Sequence, residues 1–405
     1  MVRLSENLRP YFGPLKRAYT AGTRALSPAT VRMSRMRGGW LPSGVAETME
    51  DAAKDGGSFT LARPEEVLYR ARPVGVPERY WCFEEALTET VPRVGVLELA
   101  GGRVLQPHSV VITAQNRWLW EQCWYFGTTK PRQHPMYLHP FPPPPVDVPG
   151  RLGVLSSRGD ANYYHFLHDV LPRVAVLEQS GVAPPDRWYV PRTTRFQREL
   201  LELWGIGEEQ VINADEVGHV RAQTLVVPGV ASTIERNPPW VSRLLRERLV
   251  PHGVERVPGR NIYLARRAGL HNRAVLNEAE VLALLEPLGF EVVDPGALSV
   301  ADQIRTFAEA DVIVAPHGAS LANLPFCSPG SALLELFPSQ SMVADYWKMT
   351  CGIEGLEYQY LSGTGPAAGI TRGEFVVADI TVDLKELDRM VSALLASRSS
   401  GESAR

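Results

Sequence analysis

Apolar residues fall into short β-branched runs separated by stretches with helical spacing over much of this chain. The run at 312–315, VIVA, has no polar interruption, which is the pattern of a strand buried on both faces of a parallel sheet. Pro316 closes it, and His317-Gly318-Ala319-Ser320 follows at the strand's carboxyl end. Ser320 is placed to cap a helix opening at Leu321, and Pro325 falls in its first turns, where amides have few helical partners. Ala332–Phe337 is the next strand, interrupted only by Glu335.

The same alternation recurs upstream. A strand at 153–155 leads to a helix at 163–179, and a strand at 188–190 to a helix at 195–204 stopped by Gly205. Short strands at 210–212 and 224–227 follow, and Pro228, Gly229, Pro238 and Pro239 mark a hinge. Strand 261–264 precedes a helix opened by Asn277 with Glu280, a capping-box pair, and Gly289 ends that helix before strand 291–293. Ser299 caps the helix that feeds 312–315, and Asp383 with Glu386 opens a final amphipathic helix. The pattern predicts layered α/β architecture with mostly parallel sheets.

Before residue 150 the periodicity is weaker. Residues 94–113 read as strands around a Gly101-Gly102 turn, and Trp118, Trp120 and Trp124 as a core face. Pro142 to Pro145 predict a stiff extended spacer. Residues 1–60 predict a poorly ordered lead-in, whose Arg3, Lys16, Arg17, Arg24, Arg32, Arg35 and Arg37 suit contact with an anionic membrane.

The 405 residues are 44% hydrophobic with net charge −3, so the chain is long enough for two domains and is neither disordered nor a global polyanion binder. No apolar leader or membrane-length run is apparent, and a cytoplasmic protein is expected, at most at the inner face of the membrane. Cys82, Cys123, Cys327 and Cys351 are scattered without zinc spacing, which predicts buried thiols and no metal site.

A glycine loop and helix start at a parallel strand's carboxyl end favour an anionic, phosphate-bearing ligand. Arg266 and Arg267 lie just past the 261–264 strand, where guanidinium forks suit a diphosphate. Glu335 is placed to accept from ribose hydroxyls, His317 to donate to a diphosphate or sugar oxygen, and Asn323 to join them or bond locally. In helix 163–179, Tyr163, Phe166, Val170, Val174 and Leu177 share an apolar stripe. His165 and Asp169, four apart, fall on the opposite face, a spacing that lets a carboxylate orient a histidine base or merely support the helix. There is no dinucleotide or Walker glycine loop, no nucleophile elbow and no Asp-x-Asp pair to hold a metal against a diphosphate.

Taken in order, NYYHFLHDVLPR at 162–173, then YLARR, RAVLNEAE, LGFEVVDP, ADQIRTFAEADVIVAPHGASLANLPF and LLELFP, the chain resembles glycosyltransferase family 61 over about residues 90–390. His165 and Asp169 match the family's Asn-x-x-His-x-x-x-Asp pattern, and Arg266, Asn277, Glu278, His317, Gly318 and Asn323 match its later blocks. Ser320 stands where the family motif often has a second glycine, which narrows backbone approach.

The resemblance implies a GT-B-like α/β fold, two Rossmann-like domains facing across a cleft. After the 1–60 lead-in, 61–235 would form the acceptor-side domain and 236–405 the nucleotide-sugar domain. It implies inverting transfer from a nucleotide sugar to a surface or capsular glycan, lipid-linked or free, with no cofactor, no metal and no nucleic-acid partner. His165 and Asp169 would be catalytic. Arg266, Arg273, Asn277, Glu278, His317, Gly318, Ala319, Ser320, Asn323 and Glu335 would bind the donor. An epimerase or hydrolase of nucleotide sugars, or a nucleotide-sugar-binding module without turnover, would use the same architecture.

Overall fold

A computed structural model describes residues 12–125, 127–233, 236–265, 274–339, 342–365 and 379–402. The chain divides into two compact units, Met1–Pro64 with Arg93–Ala231, and Glu65–Pro92 with Ser232–Arg405.

The first unit is built on a ten-stranded mixed sheet. Strand Val146–Val154 pairs in parallel with Arg187–Val190 and with His219–Pro228, and Val211–Asn213 continues the parallel side. Beyond His219–Pro228 the pairing becomes antiparallel, to Val94–Ala100 and Arg103–Leu105. The two antiparallel segments form one line along His219–Pro228, Val94–Ala100 facing Thr224 to Pro228 and Arg103–Leu105 facing His219 to Arg221, with Gly101, at φ 64°, in the break between them. Trp118 lies fully buried in the core, its indole N–H satisfied by the Tyr137 hydroxyl at 3.0 Å.

The lead-in, expected to be poorly ordered, carries regular elements from residue 12 onward. Phe12–Ser34 is a helix, Gly44–Ala46 pairs with Arg117–Leu119, and Gly57–Arg63 pairs antiparallel with Val94–Ala100. The helix lies against the turns Pro131–Gln133 and Pro135–Leu138. Its buried face consists of Thr23, Ser27, Val31 and Ser34, small residues that carry no conspicuous apolar period. Thr23 and Ser27 satisfy their hydroxyls on the carbonyls of Tyr19 and Arg24 within the helix.

The second unit carries a six-stranded, wholly parallel sheet in the order Phe290–Val293, Asn261–Leu264, Val312–Pro316, Ala332–Phe337, Glu357–Ser362, Val74–Val76. The last strand comes from residues 65–92, which lie within the segment expected to be N-terminal domain. Gly75 lets it pack there: a Cβ at that position would lie 2.4 Å from the Tyr360 ring. Phe83 stacks on the same ring at 4.4 Å, and the Tyr360 hydroxyl donates to the Pro77 carbonyl at 2.5 Å.

Every residue of Val312–Pro316 is buried. At its amino end Asp311 accepts from Arg256 and Arg398, each at 2.6 Å, and from the Gly259 amide, so that end is closed by ion pairs. Its carboxyl end leads into a 3-10 helix, Ala319–Phe326, capped at Gly318 and not, as expected, an α-helix capped by Ser320. Pro325 has no N–H for an α-type bond, and the side chain of Asn323 instead ties the turn to the Ser320 carbonyl at 3.2 Å. The expected capping box at Asn277 is also absent, because Asn277 spends both side-chain polar atoms on the backbone of Val382, at 2.9 Å each. Cys82, Cys123 and Cys327 are buried as expected, but Cys351 is exposed. Among the described residues no helix is long and apolar enough to cross a membrane.

Candidate functional site

Two histidine–carboxylate pairs stand out, one in each unit, both in segments that follow the carboxyl end of a parallel strand. This is the edge at which open α/β sheets present ligand-binding groups.

In the first unit, strand Val146–Val154 runs into the loop Ser156 to Asn162. Asn162 caps the next helix by accepting from the Tyr164 amide at 2.9 Å. The expected helix at 163–179 is present but interrupted, with a π-helical turn at Phe166–Val170 between Tyr163–His165 and Pro172–Ser180. Such turns accumulate at functional sites. They also shift the wheel: Leu167, His168 and Asp169 are buried along with Phe166 and Val170. On the polar face, His168 and Asp169 are therefore buried, and His165 is part-buried.

His165 Nδ1 lies 2.7 Å from Asp169 Oδ2. With Nδ1–H donated to the carboxylate, Nε2 is the basic nitrogen of the ring. The imidazole side chain is 12% exposed and the carboxylate 5%, so the pair is largely desolvated yet reachable at the ring. Asp169 Oδ1 is buried and has no hydrogen-bond partner among the described residues.

Sequence reasoning missed three neighbours of this pair. Gly159 lies against the ring, where a Cβ would sit 2.8 Å from His165. Asp160 accepts from the Ser157 amide at 2.7 Å, and burial pushes its carboxyl up to about 7, with Asp215 adding to the rise and Arg173 and His165 opposing it. Arg173 is fully enclosed, donating to the carbonyls of Pro228 at 2.7 Å and Ser156 at 3.1 Å, and burial brings its guanidinium down to about 10. The only signal for Asp160 was its position in a polar loop after a strand, which is common and nonspecific.

In the second unit, His317 follows strand Val312–Pro316, and its Nδ1–H donates to Glu335 Oε1 at 2.6 Å. Glu335 is wholly buried, and its other oxygen accepts from the Tyr358 hydroxyl at 2.6 Å. Glu335, expected to meet a ribose, thus has both oxygens taken by protein. Burial, then the Glu335 charge, raise the Tyr358 phenol well above its ordinary value, so Tyr358 stays a donor. The His317 ring stacks on Phe337 at 5.0 Å and lies beside Tyr346. Its position is thereby set, with Nε2 the nitrogen not spent on Glu335.

The other expected donor contacts separate. Gly318 is buried, Ala319 exposed and Ser320 part-exposed beside His317. Asn323 is fully buried and donates to Gln303 at 2.8 Å, a local structural role. Asn277 is committed to Val382, and Glu278 accepts from the Tyr263 hydroxyl at 3.0 Å. Arg266 and Arg273 lie outside the described residues. Among the described residues no cluster of His, Cys, Asp and Glu has the arrangement of a metal site.

The comparisons agree on a class, that of glycosyltransferases. The Glycosyltransferase 61 family model matches residues 163–334, a span that holds His165, Asp169, Asn277, Glu278, His317 and Asn323. The chain is 33% identical over 110 residues to protein O-linked-mannose beta-1,4-N-acetylglucosaminyltransferase 2 of Bos taurus, covering 25% of this chain and 19% of that protein. The proteins of the same name from Canis lupus familiaris and Homo sapiens are each 32% identical over 96 residues, covering 22% of this chain and 17% of theirs. The chain thus matches less than a fifth of the length of these curated relatives.

Proposed function

We propose that this chain is an inverting, metal-independent glycosyltransferase on a GT-B plan. It would move a sugar from a nucleotide-sugar donor to a surface or capsular glycan, free or lipid-linked, on the cytoplasmic side of a membrane. The single observation that carries the reading is the 2.7 Å contact between His165 Nδ1 and Asp169 Oδ2 at a part-buried ring. The family match over 163–334 supports the reaction class.

In this reading an acceptor hydroxyl attacks the anomeric carbon as the bond from that carbon to the diphosphate oxygen breaks. The hydroxyl proton passes to His165 Nε2, and the charge of Asp169 stabilises the imidazolium that forms. A single displacement inverts the anomeric centre. The departing diphosphate takes the bonding electron pair and is met by donors in the second unit: His317 Nε2–H, when the ring is protonated against Glu335, together with the 318–320 loop and Arg266. Stabilising that leaving charge is the larger electrostatic task. Metal independence rests on the missing Asp-x-Asp pair.

The test is a panel of nucleotide sugars, headed by N-acetylglucosaminyl donors because the curated relatives carry that transfer in their names. Glycan product and nucleoside diphosphate are measured with and without acceptor, and with and without chelator. Acceptor-dependent release with an inverted linkage is expected, and chelator should leave it intact. Release without acceptor makes the protein a hydrolase, and binding without release makes it a nucleotide-sugar-binding module.

A further inference from the structure

We propose that the Phe12–Ser34 helix docks the protein on an anionic lipid surface. A helix that only packs on its own protein turns its large apolar residues inward. This one does the reverse. Its buried face is Thr23, Ser27, Val31 and Ser34, while Leu15, Tyr19, Leu26 and Met33 are 56%, 47%, 53% and 42% exposed. At 3.6 residues per turn those four, spaced by four, seven and seven, form one stripe along about 30 Å of helix. Met36, 82% exposed, lies just past its end in the 3-10 turn Arg35–Arg37.

The charge of this helix identifies what covers the stripe. Lys16, Arg17, Arg24, Arg32, Arg35 and Arg37 are all exposed, and residues 12–46 contain no Asp or Glu, in a chain whose overall net charge is −3. None of the six forms an ion pair among the described residues; Arg37 lies over the Phe141 ring at 4.9 Å, itself exposed. At 100° per residue Arg17 and Arg24 lie on the side of the helix away from the stripe and Arg32 on its flank, so a basic face backs an apolar one, the pattern of an interfacial helix that buries apolar side chains among acyl chains and holds arginine at the phosphate level. The inference stands independently of the proposed reaction.

The test is co-sedimentation of the purified protein with phosphatidylcholine vesicles, with and without phosphatidylglycerol. Wild type should partition onto the phosphatidylglycerol vesicles, less so as salt rises. The triple variant Arg17→Gln, Arg24→Gln, Arg32→Gln should weaken partitioning roughly a hundredfold. Leu15→Ser and Leu26→Ser should each weaken it about tenfold or more. All five side chains are exposed, so circular dichroism and melting temperature should match wild type. Failure to bind anionic vesicles overturns the proposal, as does binding indifferent to both sets of substitutions. A dimer in sedimentation equilibrium that Leu26→Ser dissociates, without vesicle binding, assigns the stripe to a second copy instead.

Discussion

His317 and Glu335 lie on neighbouring segments of the central parallel sheet, their Nδ1 and Oε1 atoms 2.6 Å apart, with the carboxylate fully buried behind the imidazole. Strand register sets this contact: Glu335 pairs with Ala315, two residues before His317, so the glutamate side chain emerges beneath the loop. Tyr358 closes the other side. In the proposed function the glutamate would therefore act on a ligand through His317. Glu335→Gln should fold with a loss of about 1–3 kcal/mol, from weakened hydrogen bonds to a buried group. Nucleotide affinity should fall together with it, whereas a glutamate that served only the core would leave calorimetric affinity unchanged.

The His165 variant separates chemistry from binding. His165→Ala should keep donor affinity and lower transfer by about 10²–10⁴ at saturating substrates. Because the ring is part-buried, some stability should be lost too, so denaturant titration accompanies the kinetics. Wild-type turnover in the folded variant would remove the base assignment.

Gly159 offers a subtler probe of the same pair. The added methyl of Gly159→Ala would meet the His165 ring at 2.8 Å, too close for either to stay in place. The ring should turn away from Asp169, at a cost of about 1–3 kcal/mol in stability. Turnover should drop while nucleotide binding in the other unit holds. Unchanged kinetics would show that the ring's orientation is unimportant.

Asp160 predicts a pH signature. Its folded value of about 7 lies above the unfolded carboxylate value near 3.8, so between these limits the folded state holds more protons than the unfolded one. Its contribution to stability is thus fully present below pH ~4, and declines up to pH ~7 by at most about 1.4 kcal/mol per unit. The half-buried imidazole of His108 and the buried one of His219, both lowered to about 4 chiefly by desolvation, and His134, lowered to about 3 for the same cause, act in the opposite direction: their stability is lost as pH falls below about 6.5. Comparing wild type with Asp160→Asn cancels the histidines. The difference in denaturation midpoint should grow from pH 4 to 7 in favour of the asparagine variant; a flat difference would place Asp160 in ordinary solvent.

What the sequence by itself determined is the local periodic content. Strand Asn261–Leu264 appears at its expected limits, the Ser299 cap accepts the Asp302 amide, and Asp383 accepts the amides that open the last helix. These features depend on residues a few positions apart, where hydrophobic spacing and capping chemistry act directly. The His165–Asp169 pair was legible for the same reason, since four residues along a helix is a contact distance.

Contacts between distant residues were decided only by the tertiary structure. Nothing near Val74 announces that it joins a sheet with residue 359, and nothing near Glu335 announces that His317 and Tyr358 take both its oxygens. Asn277 reads as a cap until Val382 arrives from more than a hundred residues away to claim its amide. The helix at Phe12–Ser34 escaped notice because its inward face is threonine, serine and valine, which pack by small size and internal hydrogen bonds and leave no apolar period to read. Periodicity reports which side of an element avoids water; which partner it meets there is settled by sheet register and burial, and these exist only once the chain has folded.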